Sequence, residues 1–116
     1  MGGAEAAYLR VDKLAGGDKE WLAIAYGNLG LIYKTRGELD KALEFYLKAL
    51  KLNEELGSKE GMANQYANLG TLAETKGDMK TACGHWKKAR DLYQQVGIPH
   101  MVAKVQAWLD KAGCEK

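Results

Sequence analysis

The chain has 116 residues, 47% of them hydrophobic and 28% charged, with a single proline, a balance that describes a folded domain with its own core and excludes a disordered tail. Seventeen basic residues offset fifteen acidic ones along the whole length, for a net charge of +2, so a nucleic-acid partner, which leaves a concentrated basic patch, is not expected. No apolar run approaches the roughly 20 residues that span a bilayer, and the N-terminus MGGAEAAYLR lacks the pattern of a signal peptide, so the expected setting is cytoplasmic, without a membrane partner.

In chain order, residues 4–15 (AEAAYLRVDKLA) predict a first helix. Asp18 is a good N-cap for a second, in which Leu22, Tyr26, Leu29, Ile32 and Tyr33 recur at spacings of three and four and so form one apolar stripe. Gly37 breaks it. Leu39, Ala42, Leu43, Tyr46, Ala49, Leu50 and Leu52 build a third helix ending at Gly57, with Asp40 as its expected cap. Residues 58–97 then repeat residues 18–57. Fourteen of the forty aligned pairs are identical, at positions 19, 20, 23, 26, 28, 29, 30, 35, 37, 42, 48, 49, 52 and 57 of the first copy. Lys80 stands where Asp40 stood, so the second copy is expected to have lost that cap. Pro99 suits the first turn of a last helix, ending near Gly113, in which Ala103 and Leu109 keep the register of Ala63 and Leu69.

Gly30 and Gly70 sit mid-helix, where glycine costs about 1 kcal/mol against alanine. The repetition of that cost predicts a close helix–helix approach, with Ala42 and Ala82 as partners and Tyr46 and Trp86 filling the space beside them. Six helices are expected in a single domain over residues 1–116: a half repeat (4–15), two hairpins (18–57 and 58–97) and a capping helix (99–113). One such hairpin cannot bury its own apolar face, so it stacks on a copy.

These residues resemble the tetratricopeptide repeat: Tyr26, Leu29, Gly30, Tyr33, Gly37, Ala42, Tyr46 and Ala49 in the first copy, and Tyr66, Leu69, Gly70, Ala73, Gly77, Ala82, Trp86 and Ala89 in the second. Ala73 departs from the expected aromatic, Gly84 weakens the second copy, and the period is forty rather than about 34. The longer form looks like the repeats of kinesin light chains and of the Leu-Gly-Asn adaptors of cell polarity. The resemblance implies an all-α, right-handed solenoid of antiparallel hairpins whose first helices line a concave groove for a peptide or protein segment. The groove residues it implies are Ile24, Asn28, Leu31, Lys34 and Thr35, then Asn64, Asn68, Thr71, Glu74 and Thr75, and Lys104 and Trp108 on the last helix. The amides of Asn28 and Asn68 match a peptide unit in donor and acceptor, yet asparagine is also common there as part of the repeat itself, and both readings stay open. Trp108 is either a groove anchor or a cover for the core. Gly27 and Leu31, or Ala67 and Thr71, occupy the places where related domains clamp a C-terminal carboxylate with Lys and Asn, so that ligand class is not implied.

No phosphate loop, nucleophile elbow or metal cluster is present in the sequence, and neither catalysis nor a cofactor is expected. Cys83 and His85, two apart on a helix, point about 200° apart and cannot share a metal. Cys83 and Cys114 are expected as separate thiols. The alternative to a peptide-binding scaffold is a structural module, or a piece of a longer array, that self-associates through its terminal helices.

Overall fold

The structure, a computed structural model, describes residues 18–114, and every regular element among them is an α-helix. The helix expected over 4–15 lies outside the described residues. The chain divides into two compact units on either side of the Ser58–Lys59 bond, one residue past the boundary between the sequence repeats.

The first unit holds α1 (Lys19–Thr35) and α2 (Leu39–Leu56). Asp18 caps α1 by accepting from the Trp21 N–H at 3.2 Å, satisfying one of the orphan donors of the first turn. The chain turns at Gly37, with φ +81°, where the Glu38 N–H donates to the Tyr33 carbonyl at 2.9 Å. The α2 cap is not Asp40, which lies inside the first turn. Glu38 holds the cap position and makes no side-chain bond there.

The expected close approach occurs, and an aromatic ring rather than Ala42 fills it. A Cβ built on Gly30 would lie 2.6 Å from Cδ1 and Cε1 of Tyr46. Ala42, Ala49 and Tyr46 are fully buried around the contact, and Phe45, which the stripe omitted, is buried with them. The Phe45 ring stacks on Tyr33 with centroids 5.3 Å apart and lies 5.8 Å from Tyr26. The Lys48 ammonium sits 5.0 Å above Phe45, a cation–π contact that covers the outer side of the cluster.

The second unit holds α3 (Lys59–Thr75), α4 (Met79–Val96) and α5 (Pro99–Ala112). Here the cap prediction is reversed. Asp78, in register with Glu38, accepts from the Thr81 N–H at 3.1 Å and from its hydroxyl at 2.6 Å, so the copy expected to lack a cap is the one that has it. Those two bonds hold the Asp78 carboxyl below its ordinary pKa. A Cβ on Gly70 would lie 2.3 Å from Cδ1 and 2.4 Å from Nε1 of Trp86. The aromatic stack of the first unit is rebuilt with other residues: Ala73 replaces Tyr33, and His85 replaces Phe45 and stacks on Tyr66 at 5.9 Å.

α5 packs on α4 through Val105 and Leu109, both fully buried beside Trp86, Ala89 and Tyr93. Leu109 thus keeps the register of Leu69, but Ala103 is exposed where Ala63 is buried. The α5 face in register with Tyr66 and Gly70 carries Gln106 and Asp110, and Gln106 accepts from Arg90 at 3.1 Å and donates to Asp110 at 2.9 Å. The cysteines are not separate thiols: Cys83 of α4 and Cys114, just past α5, form a disulfide with Cα atoms 5.6 Å apart.

The glycine contacts generate an ordered set of stability changes. Gly30→Ala and Gly70→Ala push a methyl into a ring and are expected to lower unfolding stability by about 1–3 kcal/mol each despite alanine's better helix propensity. A Cβ on Gly84 meets nothing within 4 Å, so Gly84→Ala is expected to raise stability by about 0.5–1 kcal/mol. Urea unfolding of the three variants checks the order. A Gly70→Ala variant as stable as wild type would show that Trp86 can retreat and that close approach is not what the glycine secures.

Candidate functional site

Each first helix presents a row of the residues implied by the resemblance. On α1, Ile24 and Leu31 are 51% and 52% exposed, Thr35 is exposed and donates its hydroxyl to the Leu31 carbonyl at 2.9 Å, and Asn28 and Lys34 are half-buried. Asn28 makes no side-chain hydrogen bond among the described residues. On α3 two asparagines are partly engaged within their own unit. The Asn64 side-chain oxygen accepts from the Tyr93 hydroxyl, and the Asn68 amide donates to the Gln65 side-chain oxygen at 3.3 Å. In the first unit Ala25 and Asn53 stand at the places of Gln65 and Tyr93, so Asn28 and Ile24 have no matching partners. Burial, with the Glu60 charge adding to it, pushes the Tyr93 hydroxyl up to about 12, which keeps it a donor to Asn64 at neutral pH.

Three of the implied residues, Thr71, Glu74 and Trp108, come together around one cleft. It has a volume of about 450 Å³ and is lined by Thr71 and Glu74 of α3, Met79 and Trp86 of α4, and Trp108, Lys111 and Ala112 of α5. The aromatic surface is that of the half-buried Trp108, whose ring lies 5.7 Å from that of the fully buried Trp86 at a tilt of 46°. Glu74 and Lys111 bring opposite charges to the lining, and neither is ion-paired among the described residues. Thr71 donates its hydroxyl to the Asn68 carbonyl at 3.0 Å and keeps its oxygen lone pairs as an acceptor. Asn64, Asn68, Thr75 and Lys104 do not line the cleft. The Thr75 hydroxyl donates to Thr71 at 3.0 Å, and the Lys104 ammonium lies 5.7 Å from the Trp108 ring centroid.

Sequence reasoning missed Met79, Lys111 and Ala112. The available signal was a loss of bulk: Ala112 stands in register with Leu72, which is fully buried. An apolar recess with a few polar groups at its margin suits one apolar side chain with charged neighbours. The histidines take no part in it. His85 is half-buried on Tyr66, and His100 is exposed in the first turn of α5. Among the described residues no group of three or more His, Cys, Asp or Glu could hold a metal ion, and no helix is long and apolar enough to cross a membrane.

A family profile, the tetratricopeptide repeat, matches residues 23–56. Those residues form a tetratricopeptide repeat. The second hairpin keeps the same residue at six of the eight pattern places, with Trp86 for Tyr46 and Ala73 for Tyr33. Among solved structures the chain is similar to that of BtubC (BKLC) from P. vanneervenii, at 28% identity and a TM-score of 0.79, over 94% of this chain and 44% of that one. This chain therefore spans less than half the length of that structure. No curated protein matches the sequence. Tetratricopeptide repeats generally mediate protein–protein interaction, and they share the all-helical fold found here.

His85 gives the second repeat a pH dependence that the first lacks. Burial lowers its pKa below the ordinary 6.5, Lys88 adds to that, and Asp78 opposes it. The folded chain therefore binds fewer protons at this site than the unfolded one, and stability falls as pH drops from about 6.5 through the folded pKa. His85→Phe, which restores the residue found at Phe45, is expected to flatten that slope in urea unfolding measured at several pH values. An unchanged slope would assign the loss to other groups.

Proposed function

We propose that the chain is a non-catalytic protein-interaction module in which the α3–α4–α5 cleft takes an apolar side chain of a partner's peptide segment. The observation that carries this reading is the convergence of Thr71, Glu74 and Trp108, the groove residues implied by the repeat, with Met79 and Lys111 around a recess of about 450 Å³. Trp108 and Met79 offer apolar contact to the anchor, and the free charges of Glu74 and Lys111 favour a segment with a basic and an acidic residue beside it. On α1, the exposed Ile24 and Leu31 give the first unit a lesser apolar surface of its own. Self-association through the terminal helices, the alternative reading, is disfavoured at α5 because Gln106 and Asp110 make the uncovered face polar.

The test begins with affinity capture from the source lysate and continues with titration calorimetry of the captured partner. Thr71→Arg, Trp108→Ala and Ala112→Leu are expected to weaken binding about tenfold or more, or about 1.4 kcal/mol. Ala112→Leu is the informative one, since it fills the recess with the side chain of Leu72 and changes no charge. Wild-type affinity in all three, with loss only in Ile24→Arg or Leu31→Arg, would move the site to α1. A wild-type chain that captures nothing and sediments as a dimer would favour the structural reading instead.

A further inference from the structure

The disulfide joins two of the helices that line the cleft. Cys83 lies on α4 one turn after Met79 and one turn before Trp86, both of which line it. Cys114 follows the left-handed Gly113 cap of α5, two and three residues beyond Ala112 and Lys111. The noncovalent anchoring of α5 thins toward this end. Leu109 is its last fully buried residue; Asp110 and Lys111 are exposed, and Ala112 and Cys114 pack against the core while only half-buried. The backbone bonds at this end, from Gly113 to the Asp110 carbonyl and from Cys114 to the Leu109 carbonyl, stay within the helix and do not hold it to α4. The last turn of α5, which provides Lys111 and Ala112 to the cleft, is therefore held to α4 by the partial packing of Ala112 and Cys114 and by one covalent bond, the disulfide. Both cysteines are partly exposed, within reach of a thiol reagent.

We propose that Cys83–Cys114 is a redox latch on the cleft. Oxidised, it holds the last turn of α5 as a wall. Reduced, as a cytoplasmic thiol pool favours, that turn frays while Val105 and Leu109 keep the rest of α5 on α4, and the recess loses one side. The inference rests on the cleft being the binding site. The electrons come from a dithiol: its thiolate attacks one sulfur of the bond, and the displaced cysteine thiolate takes up a proton. The second thiol then resolves the mixed disulfide, releasing the other cysteine as a thiol and leaving the reductant as a disulfide, two electrons poorer.

Hydrogen exchange followed by NMR on the whole chain, with and without dithiothreitol, reads the latch without any ligand. Reduction is expected to lower protection of the Ala112, Gly113 and Cys114 amides about tenfold or more, while those of Leu29 and Leu109 change less than about threefold. A Cys83→Ser, Cys114→Ser variant is expected to show the reduced pattern without reductant, and oxidised glutathione to restore protection in the wild type. Unchanged protection in the last turn would make the bond a passive crosslink. Loss spread over all of α4 and α5 would make it a staple for the whole unit. Either result overturns the latch, whatever the cleft binds. A frayed last turn, combined with cleft substitutions that leave partner affinity unchanged, would instead overturn the binding reading and with it this regulation.

Discussion

Two antiparallel helices joined by a short turn can come close only if nothing on one of them collides with the largest side chain on the other. In both units that side chain is an aromatic ring, Tyr46 or Trp86, and it occupies the space that a Cβ would need on Gly30 or Gly70. The small buried residues around it, Ala23, Ala42 and Ala49 in one unit and Ala63, Ala82 and Ala89 in the other, maintain the same close spacing. The arrangement has costs. A mid-helix glycine is worse than alanine by about 1 kcal/mol, and the buried Trp86 N–H finds no hydrogen-bond partner among the described residues, a further penalty of roughly 1–3 kcal/mol. Ring burial and close helix packing must outweigh both, which explains why the two glycine–aromatic pairings persist where much of the surrounding sequence has diverged.

Around that fixed contact each repeat has settled its neighbours separately. Tyr33 and Phe45 stack in the first unit, while Ala73 and His85 stand there in the second and Tyr66 takes over the ring contact. Ile24 and Asn53 become Asn64 and Tyr93, a pair joined by a hydrogen bond. In both cases a residue on the first helix and a residue on the second differ together, as expected where one hairpin supplies both sides of a contact. The consequence for recognition is concrete: an asparagine of α3 that looks like a ligand contact by position already shares its oxygen with the fold.

What the sequence made legible follows from local rules. The period of forty, the left-handed glycines at 37, 57, 77, 97 and 113, the Asp18 cap and Pro99 at the start of α5 all depend on a few adjacent residues. The errors arose where position depends on the path of the chain. Asp40 looked like a cap because aspartate favours that role, but the exit from Gly37 starts α2 two residues sooner, and only in the second copy does an aspartate, Asp78, stand at that place. The disulfide joins residues 31 apart and depends on where α5 docks. Thr71, Glu74 and Trp108 were reachable through the repeat pattern. Ala112 was not, because a recess is made by missing volume, and a small residue announces no contact of its own.

The placement of the disulfide also gives the two units different mechanical characters. Both cysteines of the chain lie in the second unit, so the first is held by noncovalent contacts alone. Under tension from its ends, the oxidised chain can extend everything outside the Cys83–Cys114 loop, whereas the 31 residue steps inside it stay shielded from the force. At about 3.5 Å per residue, roughly 110 Å of contour is withheld until the bond is reduced. The redox state of one pair of sulfurs thus sets how far this repeat array can be stretched.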